Sequence, residues 1–169
     1  MTTTTKHQTE IAAAKDVPTI TITREFDAPR ELVYEAYTKP ELLKRWLGMH
    51  NGWSLAVCDI DLRVGGSYRY VWRHAGAPEM GMRGVYKEIV PAERIVATEH
   101  FDQSWYDGDA VGTVTFIERA GRTTLTITMV YASKEVRDAV LKSPMEQGMN
   151  SGFDALDQVL ASMPRGGSR

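Results

Sequence analysis

The chain has 169 residues, a formal net charge of −2, 43% hydrophobic residues and 25% charged residues. This is the composition of an ordinary globular domain, and its charge gives no electrostatic reason to expect nucleic acid or an anionic membrane surface as a partner. The single cysteine, Cys58, excludes an internal disulfide, and no apolar run has the length of a membrane span or of a signal segment, so we expect a cytoplasmic protein without membrane insertion.

The N-terminal part begins with an arm and continues into a strand. Residues 1–17 show no clean hydrophobic period, and we expect a flexible arm that is mobile or docks on a neighbour. Residues 18–163 are expected to form a single domain, with a disordered tail at 164–169. The domain begins with a predicted strand, Thr19–Phe26, in which apolar side chains alternate with polar ones.

Two short helices are predicted after this strand. Asp27 is expected to cap the first helix, with Pro29 in its first turn. Pro40 is expected to begin the second helix, which Gly48 ends. Both helices are too short to cover a sheet, but they can close one end of it.

Six further strands are predicted between residues 52 and 132, because alternating segments are separated there by turn signals. They are a strand around residues 53–57, then Ser67–His74, 81–90, Arg94–Phe101, 110–118 and 122–131. Period two with short connections indicates an antiparallel, half-buried sheet. Trp105 and Tyr106 lie in the loop after the strand Arg94–Phe101, where they can gate a cavity, form a dimer contact or fold back as a lid.

The last predicted element is a long C-terminal helix, against which the sheet is expected to pack. Residues 143–163 are predicted to form one long helix with a capping box of Ser143 and Glu146, and with Pro144 in the first turn. Apolar residues recur on it at helical spacing: Met145, Met149, Gly152, Phe153, Leu156, Val159 and Leu160. Flexible thioethers and a missing side chain suit an adaptable wall, although such a stripe can also simply fill a core.

These elements predict an α+β fold in which a curved, seven-stranded antiparallel sheet wraps around the long C-terminal helix. A sheet of this size twists strongly, and one helix cannot fill its concave face. Two outcomes follow: either the large aromatic side chains close the interior, or a cavity remains between the sheet and the helices.

The sequence also resembles a known family. The resemblance rests on ITREFDAPRELVYEAYTKPELLKRWLG, DLRVGGSYRY, GVYKEIVPAERIVATEHF, GTVTFIE, TTLTITMVY and GMNSGFDALDQVL, in this order from about residue 19 to residue 160. It is similar to the bacterial branch of proteins related to the activator of the ninety-kilodalton heat-shock protein ATPase, in the START or birch-pollen-allergen-like (SRPBCC) superfamily. The resemblance implies a helix-grip fold with an apolar cavity, and polyketide-cyclase-like, lipid-binding or stress-response roles. It transfers no catalytic motif, and fold alone does not decide function.

The search for chemistry in the sequence gives few candidates. The four histidines are far apart and form no metal-binding pattern, and no glycine-rich phosphate loop precedes a helix, so we expect neither a metal nor a cofactor. His100 can transfer a proton if it faces inward. Glu99 and Arg83 have the same option, but they can equally pair across strands.

We therefore expect a small hydrophobic ligand, aromatic or lipid-like, bound between the sheet and the long helix. The expected walls are Trp46, Tyr68, Tyr70, Trp72, Met82, Phe116, Met145, Met149 and Phe153, with Arg83 and His100 as polar anchors. Two alternatives stay open: a cofactor-free cyclase, aromatase or hydrolase in the same cavity, and a chaperone cofactor or stress-response partner. A homodimer is also compatible with the sequence.

Overall fold

The frame of the molecule is one antiparallel sheet of eight strands, in the order β1-β2-β8-β7-β6-β5-β4-β3. The computed structural model describes residues 7–103, 106 and 108–164. The strands are β1 (Glu10–Ala12), β2 (Thr19–Phe26), β3 (Ser54–Ile60), β4 (Ser67–His74), β5 (Ala77–Val90), β6 (Arg94–Phe101), β7 (Ala110–Arg119) and β8 (Arg122–Val130). The helices are α1 (Arg30–Thr38), α2 (Pro40–Leu43), α3 (Lys134–Lys142) and α4 (Met145–Ser162).

The predicted α+β architecture is confirmed, but the sheet has one more strand than expected. The extra strand is β1, in the segment expected to be a flexible arm, and it pairs with residues 21–23 of β2. Arg137 of α3 holds the same segment, because it is buried and donates hydrogen bonds to the carbonyl oxygens of Ala14 and Val17 at 2.6 and 2.7 Å. The free hydrogen-bonding edge of β2 thus gains a partner.

Strand β5 begins four residues earlier than the expected start at residue 81. Residues 75–80 had been predicted as part of a loop, but β5 continues its pairing with β4 as far as Ala77, which lies opposite His74. Backbone pairing of a long hairpin therefore outweighs the Gly and Pro residues of this segment.

Both predicted helix caps are wrong. The N-cap position of α1 is Pro29, without a side-chain cap, and Asp27 instead accepts a hydrogen bond from Arg122 at 3.0 Å. Ser143 ends α3, where its hydroxyl donates to the carbonyl of Val140, and the N-cap position of α4 is Pro144. In both places the local pattern assigns a polar side chain to the start of a helix, but that side chain instead forms a hydrogen bond with a nearby tertiary or backbone partner.

One half of the interior is packed solid. The second half of α4 buries Phe153, Leu156, Val159 and Leu160. Phe153 contacts Phe26 edge to face at 5.6 Å between ring centroids and stacks near Trp46 at 6.4 Å. These rings join α4 to β2 and to the turn after α2, so this end of the molecule has the close packing of an ordinary core. No helix in the described part of the chain is both long and apolar enough to cross a membrane.

Candidate functional site

The other half of the interior contains an acidic side chain. Glu99 of β6 shares its face with Ile95 and Ala97, because side chains two residues apart in a strand point to the same side. Ile95 is buried in the core, so this face is the concave one. Glu99 therefore projects towards the inside of the sheet, and the neighbouring His100 projects outward.

Small residues flank Glu99 across the sheet. Glu99 pairs with Ala110 of β7, and the pairing of Arg83 with His100 sets Gly84 of β5 opposite Glu99 on the other side. Small residues therefore flank Glu99 on both neighbouring strands, and in the adjacent row Ala97 lies between Gly112 and Tyr86.

Aromatic residues surround this region. The ring of Tyr68 lies over Gly84, where an added Cβ would come within 2.5 Å of it, and its hydroxyl donates to the carbonyl of Thr98 at 2.6 Å. Tyr70 lies beside Tyr68, with 4.9 Å between ring centroids, and Trp72 follows at 5.9 Å from Tyr70. These side chains form a continuous aromatic wall along β4 that runs away from Glu99 towards the end closed by α2.

Several inward-facing side chains here are only half-buried, unlike those of the solid half. They are Tyr37, Tyr70, Trp72, Met82, Ala97, Glu99, Met145 and Met149. Met145 and Met149 are among them, so the first half of α4 is packed less completely than its second half. Burial strongly desolvates Tyr37 and Glu99, although each side chain keeps some accessible surface.

Desolvation dominates the electrostatics of the site. It raises the pKa of Glu99 from 4.5 to about 7, and no hydrogen bond or ion pair among the described residues holds the carboxylate. The pKa values of Tyr37, Tyr68 and Tyr131 lie well above the usual value of 10.0, first because these phenols are buried and second because Glu99 is near them. Burial and Glu99 also raise the pKa of Tyr106, to about 12. Near neutral pH Glu99 is therefore the group here that changes its charge.

Hydrogen bonds close the end of the aromatic wall. The indole nitrogen of Trp72 donates to the carbonyl of Leu47 at 3.1 Å, directly before Gly48, whose φ is +73°. His50 lies 2.8 Å from the Ser151 hydroxyl, which ties the loop after α2 to the middle of α4. This network fixes the two short helices against the end of the sheet, as the sequence suggested.

The predicted wall residues divide into two groups. Tyr70, Trp72, Met82, Met145 and Met149 are half-buried against the core, and Tyr68 is buried. Trp46, Phe116 and Phe153 are at most 2% exposed and belong to the solid core. The indole nitrogen of Trp46 is already satisfied by the carbonyl of Ala36 at 2.9 Å.

The two predicted polar anchors lie on the outer face of the sheet. Arg83 is exposed and donates to Asp102 at 3.3 Å, and His100 lies 2.7 Å from a carboxylate oxygen of Asp109. Glu99, for which the sequence left open both proton transfer from an inward position and a cross-strand pair, is the inward group. The alternation of side chains along β6 is the sequence feature that points to this, because Glu99 lies on the same face of the strand as the apolar residues Ile95 and Phe101.

The loop after β6 is described only in part. Tyr106 is half-buried and packs edge to face on Phe101 and Tyr131, at 6.4 and 5.9 Å, which agrees with a side chain folded back on the core. Trp105 lies outside the described residues.

Two open grooves, of about 410 and 370 Å³, lie elsewhere, along β3 and β4. The larger is lined by Cys58, Asp61 and Arg69 among others, and the smaller by Arg73, His74 and Glu79. Both are wide open to solvent and neither contains Glu99. Burial raises the pKa of the Cys58 thiol to about 11, so it is not an activated nucleophile. The concave face is the better candidate, because a desolvated titratable group lies there beside a row of aromatic side chains.

A curved antiparallel sheet that encloses a long C-terminal helix, with two short helices at one end, defines a helix-grip protein. The chain belongs to the family of Activator of Hsp90 ATPase homolog 1-like proteins, whose model matches residues 27–161. The suspected family is thereby confirmed.

Solved structures support the same assignment. A protein of Rhodobacter sphaeroides is 29% identical, with a TM-score of 0.85 and coverage of 92% of this chain and 99% of that one. Protein Ms6760 of Mycobacterium smegmatis is 25% identical, with a TM-score of 0.80 and coverage of 90% and 96%. CalU16 of Micromonospora echinospora is 20% identical, with a TM-score of 0.63 and coverage of 92% and 87%, and shares the fold. No protein with a curated description matches the sequence.

Proposed function

We propose that this protein binds a small, mainly apolar ligand, aromatic or lipid-like, between the concave sheet and the first half of α4. The observation that carries this proposal is the contrast between the two halves of the interior. Phe153 and Leu156 are fully packed, whereas Met145 and Met149 on the same helix face are only half-buried against the core. Apolar surface left open in this way gains free energy when a ligand covers it.

The proposal is tested with N-phenyl-1-naphthylamine, a neutral probe that fluoresces in apolar surroundings. We expect it to bind one molecule per chain and to be displaced by small aromatic compounds. The Ala97→Leu variant places extra side-chain volume beside Glu99, in the half-open region. It should weaken probe binding about tenfold or more while leaving the stability unchanged or raised, because it fills space without displacing neighbours.

Ala36→Leu is the matched control, because Ala36 is 0% exposed in the solid core. There the added volume should lower the free energy of unfolding by about 1–3 kcal/mol. If Ala97→Leu destabilises the protein as much as Ala36→Leu does, the region holds no free space, and the binding proposal must be abandoned.

Glu99 favours a second candidate function, proton transfer on the bound ligand. A carboxyl with a pKa of about 7 exists in both protonation states near neutral pH, as a general acid–base catalyst requires. Its carboxylate can remove a proton from the carbon beside a ketone, and the enolate then regains a deuteron from heavy water. Exchange at these positions of 4-phenyl-2-butanone, followed by NMR, should be accelerated by the native protein and not by Glu99→Gln. Equal rates with both proteins would exclude this role.

A further inference from the structure

No positively charged group among the described residues balances the charge of Glu99. The titratable groups that interact with it are four phenols: Tyr37 of α1, Tyr68 of β4, Tyr106 of the loop after β6 and Tyr131 directly after β8. No Lys, Arg or His among the described residues contributes to its titration, which burial alone shifts. An ionised carboxylate in such surroundings lacks the counter-charge that buried charges normally have.

The other inward charge does not supply that counter-charge. Arg24 of β2 is 2% exposed, but it is already paired with Asp157 at 2.7 Å and with Asp154 at 3.4 Å. Both aspartates lie on α4. The guanidinium of Arg24 is therefore neutralised within the packed half of the interior and does not balance the charge of Glu99.

The aromatic residues around Glu99 suit a positively charged occupant. Tyr68 and Tyr70 continue into Trp72 along β4, and Tyr106 and Tyr131 meet edge to face on the other side of Glu99. The faces of such rings attract cations, Trp more strongly than Tyr. A ligand with an apolar body and one cationic end would thus place its apolar body against the aromatic rings and its charge beside the Glu99 carboxylate.

We propose, on the basis of the binding function above, that the ligand carries a single protonated amine on its apolar body, and that the amine occupies the space beside the Glu99 carboxylate. A neutral ligand with a hydrogen-bond acceptor is the competing possibility, since it would bind the protonated carboxyl. The cationic ligand requires an ionised Glu99, whereas the neutral ligand requires a protonated Glu99. The pH dependence of the affinity therefore distinguishes the two ligands. The phenols around Glu99 stay neutral across the tested range.

The test uses three probes of nearly equal shape: 4-phenylbutylamine, 4-phenylbutan-1-ol and 4-phenylbutyrate. Their affinities are measured by calorimetry between pH 6 and pH 8.5. We expect the amine to bind about tenfold or more tightly than the alcohol at pH 8, and the carboxylate to bind least. The preference for the amine should shrink as the pH falls below about 7, where Glu99 takes up a proton. Binding of the amine near pH 6.5 should therefore release protons to the buffer.

Two variants separate the outcomes. Glu99→Gln should abolish the preference for the amine while the alcohol still binds, and Glu88→Gln, the same change at an exposed position of β5, should leave all three affinities unchanged. If the alcohol binds as tightly as the amine at every pH, or more tightly as the pH falls, the cationic ligand is excluded and the binding function stands. If none of these probes binds, and N-phenyl-1-naphthylamine does not bind either, the binding function itself is excluded.

Discussion

Arg24 of β2 and Asp157 of α4 form the main polar link between the sheet and the long helix. One guanidinium nitrogen lies 2.7 Å from Oδ2 and another lies 3.2 Å from Oδ1 of the same carboxylate. The arginine is 2% exposed, and its guanidinium lies 4.8 Å from the centre of the Phe26 ring. The pair therefore fixes the orientation of α4 from inside the core.

The first prediction concerns this pair. Asp157→Ala leaves Arg24 buried with the longer contact to Asp154 and a hydrogen bond to the Glu25 carbonyl at 2.7 Å. The loss of unfolding free energy should be about 2 kcal/mol, below the ~3–5 kcal/mol typical of a broken buried pair, because these two partners remain. Arg24→Met should cost less, since both aspartates are partly exposed and can be hydrated. Urea unfolding measures both, and the reverse order would contradict this account.

The second prediction concerns Gly48. Its φ is +73°, and an added Cβ would lie 2.0 Å from the indole nitrogen of Trp72. Gly48→Ala should therefore cost about 3 kcal/mol, because backbone strain and the collision with Trp72 add together. Thermal unfolding and the fluorescence of Trp72 report the change.

Gly65→Ala is the control for Gly48→Ala. Its φ is +86°, but nothing lies within 4 Å of the added Cβ, so only the backbone strain remains and the cost should be about 1 kcal/mol. Equal losses at the two positions would show that the packing of Trp72 on this turn contributes nothing.

The third prediction is a dependence of stability on pH. The pKa of Glu99 is raised in the folded state, from 4.5 to about 7, so the folded protein binds more protons than the unfolded chain between these values. The corresponding stability is fully present below pH 4.5 and is lost as the pH rises through about 7. The difference amounts to roughly 2 kcal/mol once partial hydration of the carboxyl is allowed for.

Glu99→Gln isolates this contribution, because the amide has a similar shape and does not titrate. The variant should match the native protein near pH 5 and exceed its stability at pH 8. The prediction is contradicted if the native protein becomes more stable relative to Glu99→Gln as the pH rises from 5 to 8. That result would mean that a group in the folded protein stabilises the ionised carboxylate.

The fourth prediction concerns the outer face. His100→Ala and Arg83→Ala should leave the binding of N-phenyl-1-naphthylamine unchanged within about twofold, because both side chains pair with carboxylates on the convex side. Fluorescence titration of each variant checks this. A loss of binding as large as that of Ala97→Leu would mean that the outer face contacts the ligand.

Most strands of the sheet could be predicted from the sequence, because the signals that define a strand are local. Strands such as Thr19–Phe26 and Arg94–Phe101 have the predicted bounds, because alternation and turn residues are local signals. The added strand β1 could not be predicted in this way. It forms because the edge of β2 is free and because Arg137, distant in sequence, holds the arm.

The site was harder to predict than the frame. Which face of β6 points inward decides between Glu99 and His100, and apolar residues occur on both faces of this strand. Trp46 and Phe153 were reasonable wall residues by size, but their burial depends on contacts between α2 and α4 that the sequence does not specify. Residue type alone favoured the histidine, whereas the register of the sheet selects the glutamate.

The unequal anchoring of α4 has a mechanical consequence. Its second half is held on the sheet by Phe153, Leu156 and the Arg24–Asp157 pair. Its first half carries two half-buried methionines and, among the described residues, a hydrogen bond from Ser151 to His50. A ligand too large for this region would be accommodated by displacement of the first half of α4, with the helix bending near Gly152 and the strands keeping their register. The hydrogen bond between Ser151 and His50 lies beside this bend, so it can persist while the first turns of α4 move.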